Sequence, residues 1–190
     1  MIKLKFDTPS DWTKKVIGDF DAFLIDHAAA EKKASGMAMS MLSHYPDRPA
    51  LVKAMVDLSI EEMTHFRDVI RLLQQRGLQL AADEKDPYIN QFRKLMRKES
   101  DEYLMDRLLV GGIVEARGYE RFSLVAEAQD DPTLKRFYTA ISNSESRHAE
   151  LFVDLAANYF PKNIIKNRLE ELLEAEARIV AQLPIRAALH

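Results

Sequence analysis

Glu62-Met63-Thr64-His65 and Glu145-Ser146-Arg147-His148 are two copies of one Glu-x-x-His pattern. A lone glutamate precedes each copy by a similar stretch: Glu31 lies 31 residues before Glu62, and Glu115 lies 30 residues before Glu145. On a helix, residues three apart are about 60° and 4.5 Å from each other, so Glu62 and His65 share a face, as do Glu145 and His148. Each pair can offer one ion a carboxylate oxygen and an imidazole nitrogen. Four carboxylates and two imidazoles on four helices are the ligand set of a dinuclear transition-metal site.

The two half-sets repeat along the chain. Glu31 and Glu115 are 84 residues apart, and Glu62 and Glu145 are 83 apart. This predicts two helix hairpins related by approximate two-fold symmetry, with a crossover over residues 78–99 that returns the second hairpin to the end where the first began. Mixed carboxylate and imidazole ligands suit iron or manganese better than magnesium, which favours oxygen, or structural zinc, which favours tetrahedral nitrogen and sulfur. Four carboxylates also balance two divalent ions, so the cluster can be buried without a large unpaired charge.

Composition narrows the class. The chain has 190 residues, 47% hydrophobic and 30% charged, with few Gly and Pro, which favours long helices in one domain spanning 1–190. The net charge of -3 shows no bulk polycation for nucleic acid. There is no cysteine, which removes disulfides, thiolate–metal sites and cysteine nucleophiles from this chain and fits the cytoplasm. Neither a signal-peptide pattern nor a membrane-length apolar run is present, so no membrane role is expected.

Punctuation along the chain predicts four long helices and a shorter C-terminal one. Thr8-Pro9-Ser10-Asp11 offers an N-cap to a helical region of about 9–44, with a candidate break near Gly18. Pro46 ends it. Asp47 is the expected cap of the second helix, Pro49 lies in its first turn, and Gly77 closes it. Residues 78–99 read as a loop carrying a short basic amphipathic helix. Ser100 is the expected cap of a helix over 101–129, and Asp131, with Pro132, of one ending before Pro161. A last amphipathic helix covers about 163–182 and reads as packing with a solvated face.

Several residues near the ligands carry two readings. Gly111, Gly112 and Gly118 flank Glu115 on its helix face, either to leave space for a small reactant or to allow close helix packing. His27 precedes Glu31 by one turn, as a partner of that carboxylate or as a core histidine with a local hydrogen bond. Tyr119 reads as a metal-neighbouring hydroxyl or a core tyrosine. His44 and His190 read as surface residues.

The six-residue pattern resembles the ferritin-like di-iron carboxylate superfamily, whose fold is a four-helix bundle. Storage ferritins lack the second Glu-x-x-His, and rubrerythrins usually carry a cysteine-ligated module that this chain does not have. The closer resemblance is to the bacterial tRNA hydroxylases acting on 2-methylthio-isopentenyladenosine beside the anticodon. It rests on the length, the Asp11-Trp12 pair, the crossover with its basic helix, the run Val110-Gly111-Gly112-Ile113-Val114-Glu115-Ala116-Arg117, and Ser144-Glu145-Ser146-Arg147-His148.

That resemblance implies a ferritin-like bundle with a long crossover and an extra C-terminal helix. It implies two iron ions held by Glu31, Glu62, His65, Glu115, Glu145 and His148, with dioxygen as co-substrate and hydroxylation of the isopentenyl side chain. An external electron-donor protein is expected, since no cysteine or flavin fingerprint is present, and the protein is expected as a monomer or small homo-oligomer. No RNA-binding module is visible. Arg93, Lys94, Arg97 and Lys98 are the first candidates for tRNA phosphate contacts, and Lys162, Lys166 and Arg168 the second. The competing reading is a ferroxidase or peroxide-scavenging relative of the ferritins and rubrerythrins.

Overall fold

The computed structural model describes residues 2–190, and among these the chain is all-α. Seven helices follow one another: α1 (Ser10–Gly18), α2 (Phe20–His44), α3 (Pro49–Gln75), α4 (Pro87–Leu95), α5 (Ser100–Ala128), α6 (Pro132–Ala157) and α7 (Lys162–Gln182). The expected break near Gly18 is present. Asp19 leaves helical geometry at φ −141°, so the first helical region is two helices. Gly77 closes α3 at φ +70°, a left-handed conformation that glycine adopts at no steric cost. There the Leu78 N–H donates to the Leu73 carbonyl at 2.9 Å.

The chain divides into two compact units. One comprises Lys14–Glu84 with Arg186–Leu189 and is built on the α2–α3 hairpin. Ser35 sets its register: its hydroxyl donates to the Ser59 carbonyl at 2.9 Å and lies 2.9 Å from the Ser59 hydroxyl. Leu24, Ala28, Ala38, Leu51, Met55, Leu58 and Val69 are buried along its helices.

The second unit comprises the N-terminal segment up to Thr13, Lys85–Ile185 and His190, built on the α5–α6 hairpin with α4 and α7. Phe92, Leu108, Ile113, Phe122, Tyr138, Phe152 and Leu172 are buried in it. A serine pair recurs here, with Ser123 and Ser142 hydroxyls 2.7 Å apart. Ser59 and Ser142 each stand three residues before a Glu-x-x-His glutamate, so the internal repeat extends beyond the six ligand candidates.

Some expected caps hold and others do not. The Asp131 carboxylate accepts from the Thr133 N–H at 2.7 Å, as expected with Pro132 at the helix start. Thr8 does not cap α1. Its hydroxyl and N–H both donate to the Glu120 carboxylate, at 2.7 and 2.8 Å, because that half-buried, charged acceptor is a stronger partner than a helix end. Arg48, not Asp47, precedes α3, with no side-chain cap. Glu99 precedes α5, which already includes Ser100, again with no side-chain cap.

α7 packs through Ile165, Leu172, Leu173, Ile179 and Val180 and keeps a solvated face, as expected, but one of its acids, Glu176, lies on the packed side. It is fully buried and forms a two-pronged ion pair with the equally buried Arg117: Arg117 Nε donates to Glu176 Oε1 at 2.8 Å and Nη2 to Oε2 at 3.0 Å. Burial works against the Arg117 charge, yet Glu176 outweighs it and raises the guanidinium above its ordinary value. Arg117 also donates to the Phe6 carbonyl at 2.8 Å, to Thr8 Oγ1 at 3.2 Å and to Glu120. Tyr88 completes the network by donating to Glu176 Oε1 at 3.1 Å. One side chain thus ties α5 to α7 and to the N-terminal segment.

His190 is not a surface residue as the sequence suggested. Its ring stacks on Tyr88 with centroids 4.6 Å apart, and its Nδ1 lies 3.1 Å from Asp86 Oδ2. Asp86 also caps α4 by accepting from the Tyr88 and Ile89 N–H groups at 2.8 and 3.3 Å. Burial alone would raise the Asp86 carboxyl. His190 and the two N–H groups outweigh it and hold the carboxyl at about 2, below its ordinary 3.8.

A depressed carboxyl stabilises the fold above its unfolded value and loses that contribution as pH falls through the folded value. Asp86→Asn is therefore expected to lower stability by about 2 kcal/mol at pH 6 while keeping the cap. Urea unfolding of the variant and the parent is expected to show this gap shrinking from pH 4 and vanishing near pH 2. A gap independent of pH would contradict the assignment.

Candidate metal centre

In the α2–α3 unit, Glu31, Glu62 and His65 converge, each offering a ligand atom within 4.8 Å of the others. Glu31 and Glu62 are buried, and His65 is 12% exposed. His65 Nδ1 lies 3.4 Å from Glu62 Oε2 and 3.7 Å from Glu31 Oε2. Burial alone would lower the imidazole. The two carboxylates outweigh it and raise it to about 10. Glu31 is likewise subject to burial that would raise its carboxyl, but His27 and His65 hold it well below the ordinary carboxylate range. A cation taken up here displaces the His65 proton, since imidazole ligates in its neutral form.

In the α5–α6 unit, Glu115, Glu145 and His148 form the matching triplet, again with ligand atoms within 4.8 Å of one another and all three buried. Two donors on opposite sides of a first-row divalent ion, with bonds of about 2.1 Å, are about 4.2 Å apart. Each triplet therefore has the spread and the oxygen–nitrogen chemistry to hold such an ion. Two carboxylates buried side by side would otherwise repel each other in a medium of low polarity, and a divalent cation removes that cost.

The triplets differ in their surroundings. His27 is fully buried and its Nε2 lies 2.6 Å from Glu31 Oε1, which joins the two readings of this residue: it has a local hydrogen bond, and that bond is to the carboxylate. The residue one turn before Glu115 is Gly111, which has no side chain to do the same. Tyr119 is half-buried. Gly111 and Gly112 do not leave open space. A Cβ on Gly111 would lie 2.9 Å from the Phe152 ring, and one on Gly112 3.2 Å from the Ala149 carbonyl. Close packing of α5 on α6 accounts for both.

Of the basic candidates, Arg93, Lys94 and Lys98 are exposed, as are Lys162 and Lys166. Arg97 and Arg168 are spent elsewhere. Both converge on the fully buried Asp106: Arg97 Nη2 donates to Oδ1 at 2.6 Å and Arg168 Nη2 to Oδ2 at 2.9 Å. Burial would raise the Asp106 carboxyl, and the two guanidinium groups lower it instead. The sequence missed this clamp because Asp106 and Arg168 lie 62 positions apart. Among the described residues, no helix is long and apolar enough to cross a membrane.

Comparison with known proteins shows the family. The family model described as tRNA-(MS[2]IO[6]A)-hydroxylase (MiaE) matches residues 2–190. The chain belongs to this family. A Pseudomonas putida relative, the tRNA 2-(methylsulfanyl)-N(6)-isopentenyladenosine(37) hydroxylase, is 34% identical over 173 residues, covering 91% of this chain and 84% of the relative. The Salmonella typhimurium protein of the same name is 30% identical over 155 residues, 82% of this chain and 56% of that longer relative. A solved structure, protein 43 with aldehyde deformylating oxygenase activity from Synechococcus, matches with TM-score 0.94 and 33% identity, covering 100% of this chain and 96% of that one. The fold of this MiaE-family chain is all-α and ferritin-like.

Proposed function

We propose that the chain is an oxygen-dependent di-iron tRNA hydroxylase of the cytoplasm, acting on the isopentenyl group of 2-methylthio-isopentenyladenosine, and that residues 1–190 act as one domain. The observation that carries this reading is the pair of buried Glu–Glu–His triplets within a chain matched over residues 2–190 by the MiaE family model. In this proposal Glu31, Glu62, His65, Glu115, Glu145 and His148 together hold two iron ions, whose chemistry when bound is the activation of dioxygen. The balanced reaction takes one C–H bond, dioxygen, two electrons and two protons to one C–OH and water.

The residues of this chain supply the setting. Four carboxylates neutralise two Fe(II), and the two imidazoles complete a mixed set that favours iron over magnesium. His27 fixes the Glu31 carboxylate by a short hydrogen bond, the kind of support that orients a ligand before the ion arrives. Ala28, Leu58, Ile141 and Ala149, each about one turn from a ligand on its own helix, are buried and keep bulk water from the carboxylates. The electrons come from a separate protein, because this chain contains no cysteine to carry a redox pair or cluster. Phosphate contacts with tRNA fall to the exposed Arg93, Lys94 and Lys98, while Arg97 holds the crossover through Asp106.

The test is nucleoside mass spectrometry of bulk tRNA from a strain lacking this chain. The expected result is accumulation of 2-methylthio-isopentenyladenosine and loss of its hydroxylated form, both restored by the wild-type chain. Unchanged hydroxylation in the deletion strain would contradict the reading. The Synechococcus likeness favours a second reading, oxygenase action on an aldehyde. The reconstituted protein, supplied with reductant and a fatty aldehyde, is expected to release no formate.

A further inference from the structure

α5 carries three glycines, each costing about 1 kcal/mol relative to alanine in a helix interior. Gly111 and Gly112 are explained by the Phe152 ring and the Ala149 carbonyl. Gly118 is different. The three heavy atoms nearest to a Cβ built there all belong to Glu145: Oε2 at 3.3 Å, Cγ at 3.6 Å and Cδ at 3.7 Å. Gly118 lies three residues after Glu115, on the same face of α5. The absent side chain therefore faces a carboxylate across the hairpin rather than a packed apolar group.

We infer that Gly118 is a positioning residue for the Glu145 carboxylate, a determinant of metal affinity rather than of folding. This rests on the proposed role of Glu145 as a ligand. A methyl group 3.3 Å from Oε2 requires the carboxylate to yield by a few tenths of an ångström. A glutamate end group reached through three rotatable bonds makes that shift at small cost while no ion fixes it. Bonds to an ion of about 2.1 Å leave no such latitude. Alanine at 118 therefore weighs on the metal-bound protein and spares the metal-free one, where it also gains helix propensity.

The effect contrasts with that at Gly36, an exposed helical glycine on α2 with nothing within 4 Å of a built Cβ. The experiment compares G118A, G36A, E145A and the parent as full-length proteins. It measures the thermal midpoint without metal and the affinity for Fe(II) by anaerobic titration. Both glycine variants are expected to melt at or above the parent when metal-free. G36A is expected to bind Fe(II) as the parent does, and G118A to bind at least one ion about ten-fold more weakly, the scale seen when a ligand's support is disturbed.

Parent-like Fe(II) affinity in G118A, with binding lost in E145A, would overturn the inference about Gly118 and leave the ligand assignment standing. A metal-free midpoint of G118A several degrees below the parent would also overturn it, by making Gly118 a packing residue. Parent-like binding in E145A would overturn the ligand assignment and this inference together.

Discussion

His148→Ala and Glu62→Ala are each expected to abolish hydroxylation, lowering kcat by at least about a thousand-fold while leaving a folded helical protein. The size follows from the chemistry. A two-ion site activates dioxygen only when both ions are held, and losing one ligand from a set of six disrupts that arrangement rather than trimming it. Folding responds differently. Glu62→Ala removes the repulsion with Glu31 but also one of the two carboxylates that flank His65, so the two effects oppose each other and the melting temperature without iron is expected to stay within a few degrees of the parent. Single-turnover product analysis, with circular dichroism on the same samples, separates the two effects. Hydroxylation at more than a tenth of the parent rate in either variant would contradict the ligand assignment.

The largest expected loss of stability lies away from the metal ligands. Arg117→Ala leaves the fully buried Glu176 without its two-pronged partner and removes donors from Glu120, Thr8 and the Phe6 carbonyl. Breaking a buried ion pair from one side costs about 3–5 kcal/mol, because the remaining charge stays desolvated. For a chain of this length that is roughly a 10 °C fall in Tm. Replacing both partners by apolar residues of similar volume, R117M with E176L, is expected to recover most of the loss. Calorimetry of the two single variants and the double variant gives the coupling. A double variant as unstable as the two single losses added together would contradict the account.

The six candidate ligands were legible in the sequence because their signal is local. Glu62 with His65 and Glu145 with His148 lie one helical turn apart, and the upstream glutamates repeat at a nearly fixed interval. Asp131 with Pro132 is equally local, and its cap is where the pattern placed it. What stayed illegible depends on distant partners. Glu176 is one of four acids in α7, and nothing near it distinguishes it from exposed Glu170, Glu171 and Glu174. Its partner Arg117 lies 59 positions away.

Thr8 looked like a cap for the same reason, since its true acceptor, Glu120, is 112 positions away. Asp106 gathers Arg97 and Arg168, so two cations that read as phosphate contacts are structural. One overlooked signal was local. A serine precedes each Glu-x-x-His by three residues, and in each hairpin that serine meets another across the helix pair.

The proposed function depends on the Glu31–Glu62–His65 and Glu115–Glu145–His148 triplets serving one coupled pair of iron ions. Mössbauer spectroscopy of protein loaded with isotopically enriched iron and oxidised in air tests this most directly. Two ferric ions per chain are expected, antiferromagnetically coupled to a diamagnetic ground state, with inequivalent quadrupole doublets because His27 supports only the Glu31 half. One iron per chain, or two magnetically isolated ferric ions, would contradict this reading.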